Sequence, residues 1–243
     1  PYNLLFFSFI MLNQLRSDLN KTKDSEKAKI LQGFFKTGKG EYGEGDVFLG
    51  ITVPESRRIA IKYKNLPLNE IKELLKSKIH EERLIALLLL VHNYENGNEK
   101  EKEKIVKFYL KNTKYINNWD LVDLSGHQIL GDYLIDKNRK ILYKLARSSN
   151  IWEKRIAIIS TFAFIRKNQF KDSINLAEIL LADKHDLIHK AVGWMLREIW
   201  KRKKDELIKF LKKHCKQMPR TTLRYAIEKL PQKTRKEFLI SKV

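Results

Sequence analysis

Cysteine is nearly missing from this chain of 243 residues: Cys215 stands alone, which excludes an internal disulfide framework and fits a reducing compartment. No cysteine and histidine residues stand at the spacing of a zinc site, so no metal or other cofactor is expected. A bilayer-spanning run is also missing. The longest apolar stretch, LLFFSFIML (Leu4 to Leu12), is too short to cross a membrane. It has neither a basic flank nor a small-residue cleavage site, so it does not read as a signal peptide. The chain opens on Pro1 and reaches its first methionine at Met11. Residues 1–13 are therefore expected to be either a capping helix or an extension upstream of the natural start. Period-2 alternation bounded by turn residues is nearly absent, which argues against strands.

Negative charge is the other shortage. The 49 Lys and Arg against 29 Asp and Glu leave a formal net charge of +20. A protein this basic is expected to bind polyanions, nucleic acid first. The excess is uneven: from Lys201 to Val243 there are 15 basic and 4 acidic residues, a net +11 (15 − 4) in the last 43 residues. The plainer alternative is that lysine simply solvates helix faces. Hydrophobic residues make up 43% of the chain, too many for a disordered one, so a folded core is expected.

What is there reads as short amphipathic helices joined by brief turns. Pro54 and Pro67 sit where first-turn prolines belong, Gly97 closes the run LIALLLLVHNY, and Asn150 with Glu153 marks a helix start. The helices also repeat. ERLIAL (82–87), NWDLVD (118–123), KRIAII (154–159), HKAVGW (189–194) and RYAIEK (224–229) begin 36, 36, 35 and 35 residues apart. A period near 35–40 with two helices per unit predicts an all-α fold, an α-solenoid of HEAT-like repeats in one domain over 1–243.

Within that register NNWDLVDLSG (117–126) is anomalous. A core helix does not favour the acid Asp123, and a solvated helix does not favour Trp119 one turn before it. Arg83, Trp119, Arg155 and Lys190 share one position of the repeat. Leu87, Asp123, Ile159 and Trp194 share the position one turn later. Two units thus carry Asp123 and Trp194 where the others carry aliphatic residues. Trp119, Asp123, Arg155 and Trp194 are expected to form a cluster if this line faces outward. The competing reading makes both tryptophans plugs of the interhelix core.

Other motifs are weaker. GFFKTGKG (33–40) and GKGEYG (38–43), within the glycine-rich loop at 34–50, imitate nucleotide-binding loops. Both lack the preceding strand, and Glu41, Glu44 and Asp46 would repel phosphate, so a structural turn is expected. HDLIH (185–189) imitates a zinc motif without a third ligand. Ser125 and Ser160 have no partners for a serine triad. The basic elements are more informative: Arg197, then KRKK (201–204) with Lys201 and Arg202, then Arg220, Thr221 and Arg224. Arginine and threonine in such numbers suit phosphate oxygens.

WDLVD (119–123), the Arg155 helix, KAVGWMLRE (190–198), MPRTTLRYAIEK (218–229) and FFKTGKGEYGEGDVFLGITVPESRR (34–58) together resemble the DNA alkylation repair family, the AlkD-like 3-methyladenine DNA glycosylases. The likeness runs from about residue 14 to 240. It implies a solenoid with a concave, basic DNA-binding face and cofactor-free hydrolysis of alkylpurine glycosidic bonds in double-stranded DNA. The family's aromatic–acid–aromatic cluster with its arginine maps onto Trp119, Asp123, Trp194 and Arg155. Lys190, Arg197, Lys201, Arg202, Arg220, Thr221 and Arg224 are then expected to contact DNA, with Arg155 and Arg197 on the flanking phosphate. A cytoplasmic, nucleoid-associated monomer is expected. The alternatives are a catalytically silent relative that binds branched or distorted DNA, and a helical scaffold for protein partners.

Overall fold

The computed structural model describes residues 2–240, with side chains from Ile10 onward. It is all-α: fourteen α-helices and no named strand occur among the described residues, with one isolated bridge between Val47 and Ile79. No helix among them is long and apolar enough to cross a membrane. The chain falls into two compact units, residues 1–125 and 126–243.

The first unit carries α1 (Tyr2–Lys21), α2 (Ser25–Phe34), α3 (Val53–Lys62), α4 (Leu68–Leu75), α5 (His80–Asn96), α6 (Glu99–Lys111) and α7 (Trp119–Gly126). Helix α5 is its core. From Leu84 to Val91 every residue is buried, so the helix is apolar all round and is packed by α3, α4 and α6. Each large aliphatic side chain hidden there contributes roughly 1.5–3 kcal/mol. Thr52 caps α3 reciprocally with Glu55, with Pro54 just inside the start, whereas Pro67 sits one residue before α4. Gly97 caps α5 in extended, not left-handed, backbone.

The second unit continues from α7 with a π-helical turn (His127–Gly131), then α8 (Lys140–Ala146), α9 (Ile151–Arg166), α10 (Lys171–Leu180), α11 (Asp186–Trp200), α12 (Lys204–His214), α13 (Arg220–Ala226) and α14 (Gln232–Ile240). Helix α9 plays the part of α5: it is buried on nearly every side and touched by the π turn, α8, α10 and α11. The Asn150 side chain caps it by accepting from the Trp152 N–H. The five repeated segments fall on α5, α7, α9, α11 and α13, with one α-helix between each successive pair, so the two-helix period is real.

Candidate active site

In the first unit, Asn118 starts α7: its Oδ1 accepts from the Trp119 N–H at 2.8 Å. Trp119 and Asp123 stand one turn apart on this helix, both half-buried. The Trp119 ring lies on Phe35 (centroids 5.2 Å apart, planes 16° apart) and takes the edge of Phe34 at 6.0 Å. Asp123 sits in the field of Tyr109, a wholly buried phenol hydrogen-bonded to Ser125. Burial first, and then the Asp123 charge, push the Tyr109 pKa well above its usual value.

A buried charge chain lies behind this face. Asp120 Oδ2 accepts from His80 Nε2 at 2.8 Å, and the other ring nitrogen of His80 faces Asp46 Oδ2 at 3.4 Å. Arg83 and Asn118 also reach Asp46, at 2.5 and 3.4 Å. Burial alone would discharge His80, but Asp120 and Asp46 outweigh it and hold the imidazole above its ordinary pKa. Burial likewise works against charge on Asp46, and His80, Arg83 and Asn118 overcome it and hold that carboxyl low. The loop from Phe35 to Gly50 is therefore anchored to the Trp119 helix by charge. Glu81, 1% exposed, adds the N–H groups of Leu49, Gly50 and Ile51 at 2.9–3.2 Å.

The glycine-rich loop has no phosphate cradle to offer. The Gly38 N–H donates to Glu41 at 2.9 Å and the Gly40 N–H to Glu44 at 2.8 Å. Gly50 is demanded by its backbone (φ +83°) and by the Asp24 carbonyl oxygen, 2.1 Å from where a Cβ would stand.

In the second unit, the Trp194 indole N–H donates to Glu198 at 3.2 Å, and its ring meets Phe162 at 6.0 Å. Phe162 in turn takes the edge of His127 at 5.2 Å. Burial, helped by Arg166, pushes His127 down to about 4. Glu198 also holds Lys201 at 2.6 Å, and Arg197 pairs with Glu228. Arg155 is buried, 5% exposed, and donates to the Leu187 carbonyl oxygen in the first turn of α11. Lys190 and Thr221 both bond Asp186, the former at 2.8 Å. Arg202, Arg220 and Arg224 are exposed on the surface. The histidines of HDLIH serve their own helix: His185 accepts the Leu187 N–H and His189 bonds the Asp183 carbonyl oxygen. Ser125 and Ser160 donate to backbone carbonyls of Leu121 and Ile156.

Sequence profiles decide the family. The profile described as DNA alkylation repair enzyme matches residues 15–230. The chain belongs to this family. No curated protein matches it by sequence. Among solved structures, this repair-family chain shares its fold with a predicted DNA alkylation repair enzyme from Enterococcus faecalis. The TM-score is 0.68 at 17% identity, over 87% of this chain and 98% of that one. AlkD2 from Streptococcus mutans gives a TM-score of 0.54 at 17% identity, over 93% and 99% of the two chains.

Within the family frame, Trp119 and Asp123 share α7, while Trp194, Arg197 and Lys201 gather around Glu198 at the end of α11. Both tryptophans are half-buried, whereas the repeat positions held by Leu87 and Ile159 are fully buried. Phe35, His80, Asp120 and His127 had not been singled out from sequence. Only His127, four residues after Asp123, stood at a spacing that could have shown it.

Proposed function

We propose that this member of the DNA alkylation repair family is a monofunctional glycosylase that hydrolyses the N-glycosidic bond of cationic N3- or N7-alkylated purines in duplex DNA. The observation that carries the reading is the pair on α7: a half-buried carboxylate, Asp123, one turn after a half-buried indole, Trp119. An alkylated purine bears positive charge and leaves as a neutral base, so no general acid is required, unlike the two-carboxylate glycosidases. One anion suffices. Asp123 stabilises the oxocarbenium-like sugar as the bond breaks and orients the attacking water. The indole faces of Trp119 and Trp194 favour a cationic lesion by roughly 0.5–2 kcal/mol per contact.

Phosphate contact falls first to Arg202, Arg220 and Arg224, which are exposed. Lys190, Arg197, Lys201 and Thr221 would join by exchanging a carboxylate partner for a phosphate. Arg155 acts through the α11 backbone, which it ties in place ahead of Trp194. The reaction uses water and no Schiff-base lysine, so excision leaves the strand uncut.

The test is release of 3-methyladenine and 7-methylguanine from methylated duplex DNA, wild type beside Asp123→Asn. Release should fall by at least about 100-fold in the variant while DNA affinity holds, the scale of losing one preorganised electrostatic group. Release at the wild-type rate by Asp123→Asn would sink the mechanism. No release by the wild type, with salt-sensitive duplex binding retained, would make the chain a DNA-binding relative without this activity.

A further inference from the structure

Trp119 is held at its backbone and at its ring. The backbone is fixed on either side in sequence: Asn118 Oδ1 accepts from the Trp119 N–H, and His80 Nε2 donates to Asp120 Oδ2, both at 2.8 Å. The ring is fixed from behind by a run of nearly parallel rings. His80 lies on Phe48 with centroids 4.5 Å apart and planes 20° apart. Phe48 lies on Phe35 at 5.0 Å and 21°, and Phe35 on Trp119 at 5.2 Å and 16°. Phe35 and Phe48 belong to the glycine-rich loop, to which the chemistry above gives no part.

Both routes start at His80. An aliphatic side chain would fill this position, 2% exposed, without the cost of desolvating an imidazole. What it could not do is fix a plane. Apolar contact is non-directional, so stacked rings alone leave their orientation loose. Hydrogen bonds are directional. With Nε2 on Asp120 and Nδ1 facing Asp46 Oδ2 at 3.4 Å, the imidazole is held at both edges, and Phe48, Phe35 and Trp119 take their planes from it in turn.

We infer that His80 is a positioning residue for the candidate site: through Asp120 it sets the start of α7, and through Phe48 and Phe35 it sets the plane of the Trp119 indole. The glycine-rich loop is then the backing of that indole, covering one face so that a lesion meets the other. The consequence for base release rests on the glycosylase reading; the positioning of Trp119 does not.

Labelling with 5-fluorotryptophan gives one fluorine resonance for each of the four tryptophans, and Trp119→Phe assigns that of Trp119. His80→Gln keeps one donor but loses the ring. Phe48→Leu removes the middle of the stack and keeps an apolar side chain. Neither position is next to Trp119 in sequence, and either variant suffices where the other does not fold. Each should shift or broaden the Trp119 resonance and leave those of Trp152, Trp194 and Trp200, which lie in the second unit. Each should also slow 7-methylguanine release at saturating enzyme by about tenfold, with affinity for undamaged duplex unchanged, as expected of a displaced group. Leu15→Ala, a buried position of α1, which packs on α3 and α4, lowers stability without removing a ring and should do neither. The inference is overturned if the Trp119 resonance stays put in both variants, if Leu15→Ala moves it as much, or if both variants match the rate of an active wild type. No release by the wild type would overturn the glycosylase reading alone, and the Trp119 resonance would then decide the positioning by itself.

Discussion

His80 sets the pH behaviour of the first unit. Its pKa is raised in the folded state, so the stability it contributes is complete below about pH 6.5 and is lost as pH climbs through the raised value. Asp46, held low, acts at the other end: its contribution is present above about pH 4 and is lost as pH falls through the depressed value. Thermal melts across this range should show the wild-type melting temperature declining on the alkaline side. His80→Gln should be less stable by about 1–3 kcal/mol near pH 6 and should lack that alkaline decline. A decline of the same size in the variant would assign it to other groups. None of this network was legible in the sequence, because its contacts join residues 34, 40 and 72 positions apart and no periodicity marks them. Trp119 and Asp123 were legible for the opposite reason: Trp119 interrupts a column that is otherwise basic, and Asp123 one that otherwise holds Leu87, Ile159 and Trp194.

At the level of helices, the repeat period was readable because each unit must bury the same face. The cap at Asn150 was readable because it satisfies a local N–H group. The π-helical turn at His127–Gly131 was not, since one extra residue in a turn leaves no mark on an apolar pattern. Gly193 shows what packing adds. A Cβ there would stand 2.5 Å from Tyr225 Cβ and 2.7 Å from the Thr222 carbonyl oxygen, so α11 and α13 meet only because the side chain is missing. Alanine improves helix propensity by about 0.8–1 kcal/mol. The forced separation costs about 1–3 kcal/mol and should win. Urea denaturation should find Gly193→Ala destabilised, while Gly33→Ala, with open space around it, should be neutral or slightly stabilised. Equal effects at both positions would remove steric contact as the cause.

Across the whole molecule, the charge excess was plain in the composition, but which cations are available was not. Several of the basic residues expected on DNA are matched to acids, and Arg202, Arg220 and Arg224 stand exposed. Replacing those three with alanine should flatten the dependence of duplex affinity on salt by about 2–3 in the log–log slope, near 0.9 per phosphate contact. An unchanged slope would place the DNA elsewhere. The glycine-rich loop stands against this basic background. Glu41 and Glu44 are covalently linked to the amides they occupy, so they compete with any incoming phosphate at an effective concentration in the millimolar range for a short tether. The loop is thereby a built-in competitive inhibitor of anion capture, and a polyanion attracted to the rest of the chain finds no foothold on its glycines.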